Sequence, residues 1–166
     1  MFYVKKELEL ATEHEGLVIG LFDKPEKFTG SLALLDEAFN GQLRELVKSG
    51  DISARFKSIS KVHSLGKIGP KRIWFVGLGK EKEFTFEKLL KAFGRLFKDV
   101  KANKIEETAV HLDSFTVEHV DGLDAAHAVS EALALSTYQF EGYKQKSNEP
   151  VKKLEQLTIY CDSFDE

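Results

Sequence analysis

The hydrophobic pattern along this chain changes period several times, and each change predicts an element. Ile73, Trp74, Phe75 and Val76 form a continuous apolar run, with Lys71 and Arg72 before it and Gly77-Leu78-Gly79 after it. A short β-branched and aromatic run of this kind predicts a strand buried on both faces, the expected central strand. Leu17–Phe22 (LVIGLF) predicts a second buried strand, with Gly20 marking a bulge or a close approach by another backbone. Phe2, Val4, Leu8 and Leu10 alternate loosely with charged residues, which predicts an edge-like strand over residues 2–10 with one wet face. Glu13–Gly16 reads as a polar turn. Ile52–Gly66 reads as strand material, and Lys67–Lys71 (KIGPK) is a tight turn built on the breaker pair Gly69-Pro70. Together they predict a β-hairpin leading into 73–76. Thr108–Leu112 and Leu157–Cys161 predict two further strands.

The helical period is clearest after Phe84. Phe86, Leu89, Leu90, Phe93, Leu96, Phe97 and Val100 recur at i, i+3, i+4, i+7, i+10, i+11 and i+14. Thr85 suits the N-cap and Glu87 the positive helix start. Gly94 is expected to let this helix lie close to the sheet. Leu32–Val47 predicts two helical pieces broken at Gly41, with Gly50 as C-cap. Gly122–Ser136 predicts a helix with a narrow apolar face of Ala125, Val129, Ala132 and Leu133. Asp23–Gly30 and Glu141–Lys153, each with a proline, read as a loop and a connector. The strand–helix alternation after residue 72 predicts right-handed crossovers and a largely parallel sheet. The earlier strands, lacking long helices between them, predict antiparallel partners at one edge. The expected fold is α/β: a mixed, largely parallel sheet with helices on both faces.

Composition sharpens this. A chain of 166 residues fits one domain, 1–166, large enough to bury about 70% of its unfolded surface. Thirteen phenylalanines against one tryptophan predict a phenylalanine-rich core. A single cysteine, Cys161, cannot form an internal disulfide, which fits a reducing compartment. Charges from Lys5 onward exclude a secretory h-region, and no apolar run is long enough for a membrane span. A cytoplasmic location with no membrane partner is the expectation.

The chemistry-bearing residues do not assemble into a motif. Gly77-Leu78-Gly79 follows a strand and precedes a helix, as a phosphate-binding loop would, but Lys82 stands where a third glycine belongs. A tight exit from a buried strand explains the glycines better. His14, His63, His111, His119 and His127 lack zinc spacing. His111 with Asp113, if the strand runs that far, and Asp121 with Asp124 and His127 would share a predicted face, and solvated polar residues and helix-start acids account for them. Cys161 has no activating partner in sequence, and no G-x-S-x-G nucleophile elbow occurs. No catalytic, cofactor-binding or metal residue is assigned. Charge is segregated instead. Residues 52–80 carry Arg55, Lys57, Lys61, Lys67, Lys71, Arg72 and Lys80 with no acid. Residues 105–143 carry Glu106, Glu107, Asp113, Glu118, Asp121, Asp124, Glu131 and Glu141 with no Lys or Arg. Lys88, Lys91, Arg95 and Lys98 extend the basic set along the main helix. A solvated face with strand-end lysines that discourage edge pairing is the plainer reading, and an electrostatic dock for a subunit or for nucleic acid the sharper one. A net charge of −3 gives no reason to expect general nucleic-acid affinity.

Three stretches resemble a known family. Residues 71–94, KRIWFVGLGKEKEFTFEKLLKAFG, resemble the signature of the N-terminal domain of leucyl (cytosol) aminopeptidases. Gly16–Phe22 followed by Leu35-Asp36-Glu37-Ala38 resembles the start of that domain, and Tyr138, Phe140, Tyr143 and Lys144 its Y-x-F-x-x-Y-K element. The resemblance implies a macro-domain-like fold and a two-domain parent. The parent's C-terminal catalytic domain, absent from this chain, would hold two divalent metal ions, zinc or manganese, and remove N-terminal residues from peptides. It implies a cytoplasmic hexamer in which this domain is non-catalytic and serves assembly or substrate access. Its partners would be its own catalytic domain and further copies. The family's N-T-D-A-E-G-R motif is absent, so no catalytic or metal residue carries over. The alternative is a macro-like binding module for an ADP-ribose-type ligand or nucleic acid.

Overall fold

The computed structural model describes residues 2–5, 11–23, 31–103, 105, 107–117, 119–143 and 156–160. Six strands, β1 (Phe2–Lys5), β2 (Gly16–Phe22), β3 (Ile59–His63), β4 (Arg72–Gly79), β5 (Glu107–His111) and β6 (Gln156–Tyr160), form one sheet. Their order across it is β1-β6-β5-β2-β4-β3, and only the β3–β4 pair is antiparallel. Helices α1 (Ser31–Ala38) and α2 (Gln42–Ser49) follow β2. Helix α3 (Phe86–Ala102) links β4 to β5, and α4 (Gly122–Tyr143) lies between β5 and β6.

Side-chain alternation on β4 divides the interior into two cores. Trp74 and Val76 join the core built with α3 and α4, which includes Leu89, Phe93, Phe97, Ala125 and Val129. Ile73 and Phe75 join the opposite core with Leu17, Ile19, Leu35, Phe39 and Leu43, the last three from α1, the turn after it and α2. With apolar cover on both faces, β4 has no wet side, which is why its sequence does not alternate.

Local chemistry sets the helix ends. The Thr85 side chain accepts from the Lys88 amide at 3.2 Å and caps α3 as expected. Helix α2 starts after Gly41, which has no side chain to cap it, and Asp36 of α1 does the work. Its Oδ1 accepts from the Arg44 amide at 3.1 Å and its Oδ2 pairs with Arg44 Nε at 2.9 Å. Gly50, at φ 89°, closes α2.

Some expectations are corrected. Strand β4 lies one place in from the β3 edge, and β2 and β5 are the middle strands. Its burial comes from the helices over it, not from a central position. Strands β1 and β2 run parallel to their partners, so the antiparallel edge consists of β3 alone; β1 pairs with β6 at the far edge, through a contact that spans the chain. Gly94 gives no close approach, because a Cβ there would meet nothing within 4 Å. The last helix extends past Ser136 to Tyr143. The expected loop residues 24–30, most of the connector after Tyr143, and Cys161 lie outside the described residues.

Phe75 is fully buried. Its replacement by alanine is expected to lower the unfolding free energy by about 3–5 kcal/mol, the range for large aromatic deletions in cores. Urea denaturation measures it, and a loss below about 1 kcal/mol, the size of a surface substitution, would place β4 at the periphery.

Candidate functional site

In an open parallel sheet, ligands favour the crevice beyond the carboxyl ends of the strands, where the strand order reverses. Here the chain crosses from β4 over β2 to β5, so the reversal lies between β2 and β5. Their pairing stops at Ile19 opposite His111. Beyond it the 3₁₀ turn Leu112–Phe115 folds back over β2. Ser114 Oγ accepts from the Gly20 amide at 2.8 Å and donates to the His111 carbonyl at 2.6 Å. A Cβ on Gly20 would lie 2.9 Å from the Ser114 carbonyl oxygen, so glycine is required by the close backbone approach expected from sequence. This part of the crevice is filled by the chain's own turn, with Leu112 and Phe115 buried beneath it. Phe84 packs edge-on against Phe22 at 5.0 Å, and His119 donates from Nε2 to the Phe84 carbonyl at 2.6 Å. That bond ties the β4–α3 link to the segment before α4.

Gly77 and Gly79 are inside β4, not in a loop after it. Their amides are committed to the segment that leads into β3: Gly77 donates to the Ser58 carbonyl at 2.7 Å and Gly79 to the Ala54 carbonyl at 2.9 Å. A Cβ on Gly77 would lie 2.0 Å from the Arg55 carbonyl oxygen. The glycines admit a neighbouring strand-like segment, and no amide of the pair is left to cradle a phosphate.

The histidines separate into distinct environments. His14 and His111 are buried, at 8% and 7% exposure, and for His111 a solvated side chain was expected. His14, in the turn before β2, hydrogen-bonds through Nδ1 to Glu107 Oε1 and through Nε2 to the Tyr160 hydroxyl at 2.8 Å. Glu107 Oε2 accepts from the Glu15 amide at 2.8 Å. This chain joins β5, β6 and the entry to β2. It is laid out like a proton relay, but Tyr160 is fully buried, so no substrate reaches its hydroxyl. No local sequence signal announces it, since the partners stand 93 and 146 residues from His14. His111 ends β5 and Asp113 lies in the following turn, so the two do not share a strand face. Asp121 and Asp124 exchange reciprocal amide bonds at 2.9 and 3.3 Å, a capping arrangement at the start of α4, as the helix-start reading expected. His127 turns to Glu131 at 3.5 Å instead of joining them.

The basic segment and the basic helix lie side by side. Lys57 and Lys88 place their ammonium groups 5.8 and 5.5 Å from the centre of the Phe56 ring. Lys61 on β3 donates to Asn103 Oδ1, at the end of α3, at 2.6 Å. Partial desolvation lowers the Lys101 pKa below the ordinary lysine value.

A family model described as the N-terminal domain of the cytosol aminopeptidase family matches residues 18–147. The chain belongs to the cytosol aminopeptidase family. Its fold is similar to tomato leucine aminopeptidase at 20% identity and a TM-score of 0.75, covering 99% of this chain and 33% of that one. The chain therefore spans about a third of the tomato enzyme's length. It is also similar to a Trypanosoma brucei macrodomain, at 10% identity and a TM-score of 0.72 over 98% of this chain and 62% of that one. A further likeness is to the macrodomain of Mycobacterium tuberculosis DarG, at 14% identity and a TM-score of 0.66 over 96% and 97%. The macro-domain-like α/β fold expected from the resemblance is thus the one observed. Among the described residues no helix is long and apolar enough to cross a membrane.

Gly77→Ala separates the packing and phosphate readings. Overpacking against fixed backbone is expected to cost about 1–3 kcal/mol of stability. Inorganic phosphate at millimolar concentration should leave the wild-type melting temperature unchanged. A stable variant, or a phosphate shift that it abolishes, would restore the glycines to a ligand role.

Proposed function

We propose that this chain is the non-catalytic N-terminal domain of a metal-dependent leucyl aminopeptidase, serving assembly or substrate access. The observation that carries this reading is the family match over residues 18–147, supported by an alignment that covers a third of the tomato enzyme. The remaining length would hold the catalytic domain, this domain's first partner. Two divalent ions, zinc or manganese, would belong there. The residues described here do not fit such a pair, since none of their His, Cys, Asp and Glu side chains form a group of three able to hold a metal. A cytoplasmic homo-oligomer, a hexamer in the resembling family, is the assembly proposed for the parent.

A second reading, a module for an ADP-ribose-type ligand, draws on the likeness to macrodomains. The Ser114 turn seated on Gly20 weighs against it, because it occupies part of the crevice such a ligand would use.

The purified chain is expected to show no hydrolysis of leucine p-nitroanilide or leucyl peptides with added manganese or zinc. Cocatalytic hydrolysis needs carboxylates converging on two ions about 3.5–4 Å apart. Turnover that survives repurification and is lost in Asp121→Asn or Asp124→Asn would overturn the non-catalytic reading. A thermal shift with ADP-ribose addresses the second: no shift is expected, and a saturable rise in melting temperature would favour the binding module.

A further inference from the structure

The outer side of β3 carries two features that fit one kind of partner. The first is a backbone edge. Ser64 donates to the Lys71 carbonyl and Gly77 to the Ser58 carbonyl, which marks both residue pairs as hydrogen-bonded pairs of the antiparallel ladder. Such pairs alternate with pairs whose amide and carbonyl groups point away from the partner strand. Ser60 and Val62 therefore spend their backbone on β4, while Ile59, Lys61 and His63 present theirs outward. No described strand pairs on that side.

The second feature is charge. Lys61 and His63 are exposed, and their side chains share with half-buried Ile59 the sheet face that α3 covers. Lys88, Arg95, Asp99 and Asn103 follow one another along the α3 flank nearest β3, anchored by the Lys88–Phe56 and Lys61–Asn103 contacts. Asp99 is committed to the Trp74 indole at 2.6 Å. Among the described residues no carboxylate lies within ion-pair distance of Lys57, Lys61, Lys88, Lys91, Arg95 or Lys98. Two ion pairs formed elsewhere among the described residues are Arg44–Asp36 and Lys48–Glu45.

We propose that the β3 edge and the adjoining basic flank of α3 form a docking site for an extended acidic peptide segment of a partner protein, added as a further strand. Alternate residues of a strand face the same side. A segment with Asp or Glu at every second position would bond its backbone to Ile59, Lys61 and His63 and aim its carboxylates at Lys61 and Arg95. Main-chain bonds then supply affinity and the alternate acids supply selectivity. A nucleic acid meets only the second feature, because it has no strand to add. Edge lysines also act as guards against pairing, and their charge repels a basic strand while attracting an acidic one.

The test uses the full chain and a fluorescein-labelled hexapeptide of three Glu-Thr repeats, titrated by anisotropy at physiological salt, with a Lys-Thr hexapeptide as control. Amide hydrogen exchange is read on the same samples. The acidic peptide should bind and the basic one should not, and the Ile59, Lys61 and His63 amides should become protected on binding. Double charge reversal, Lys61→Glu with Arg95→Glu, should weaken binding by about tenfold or more, while Lys48→Glu leaves it unchanged. Both reversed side chains are exposed, and a circular-dichroism melt checks their fold; the protection pattern on the wild type stands independently of it. No binding of the acidic peptide, binding without protection of those three amides, or a DNA duplex of matched charge that binds more tightly through the same residues would each overturn the proposal.

Discussion

The burial of Trp74 is the constraint from which much of the structure follows. The side chain is completely removed from solvent, so its indole N–H must find an acceptor or lose the energy of a hydrogen bond to water. Asp99 of α3 supplies it at 2.6 Å. Asn103 in turn donates to the Asp99 carbonyl at 2.7 Å and accepts from Lys61 of β3. One buried N–H thereby fixes the helix over the sheet and the edge strand beside the helix. The ring makes a demand on the other side as well. A Cβ on Gly16 would lie 2.3 Å from the Trp74 six-membered ring, so β2 can pair with β4 in this register only if it starts on glycine.

Close backbone packing continues along the same strands. Gly77 admits the 54–58 segment beside β4, and Gly20 admits the Ser114 turn beside β2. Both contacts bring polar backbone groups into the interior, and both are satisfied there by hydrogen bonds. The consequence for function is direct. Glycines that look like a ligand loop are spent on the protein's own chain, and the reversal point of the sheet is partly plugged. Among the described residues, the β3–α3 side is a surface whose Lys57, Lys61, Lys88 and Arg95 lack ion-pair partners.

Much of this was legible in the residues. The double-sided apolar runs at 17–22 and 73–76, the heptad-like spacing from Phe86 to Val100, the Thr85 cap and the break at Gly41 are local signals, and each corresponds to an element. Strand order was less legible, because burial on two faces reports cover by helices and not place in the sheet. The parallel pairing of β1 with β6 depends on residues more than 150 apart, which no window of sequence contains. The His14–Glu107–Tyr160 connection escaped for the same reason: a histidine in a polar turn looks solvated until two distant strands close over it. The resemblance to aminopeptidases carried the family where composition and spacing carried only the architecture.

Trp74 is the chain's single tryptophan, so intrinsic fluorescence reads the central constraint without interference. The account predicts a blue-shifted emission in native buffer that acrylamide barely quenches. Both properties should be lost in one cooperative step, together with the far-ultraviolet circular dichroism signal, as denaturant is added. Red-shifted emission that acrylamide quenches freely in the absence of denaturant would show the indole in water and contradict the arrangement of β2, β4 and α3 described above.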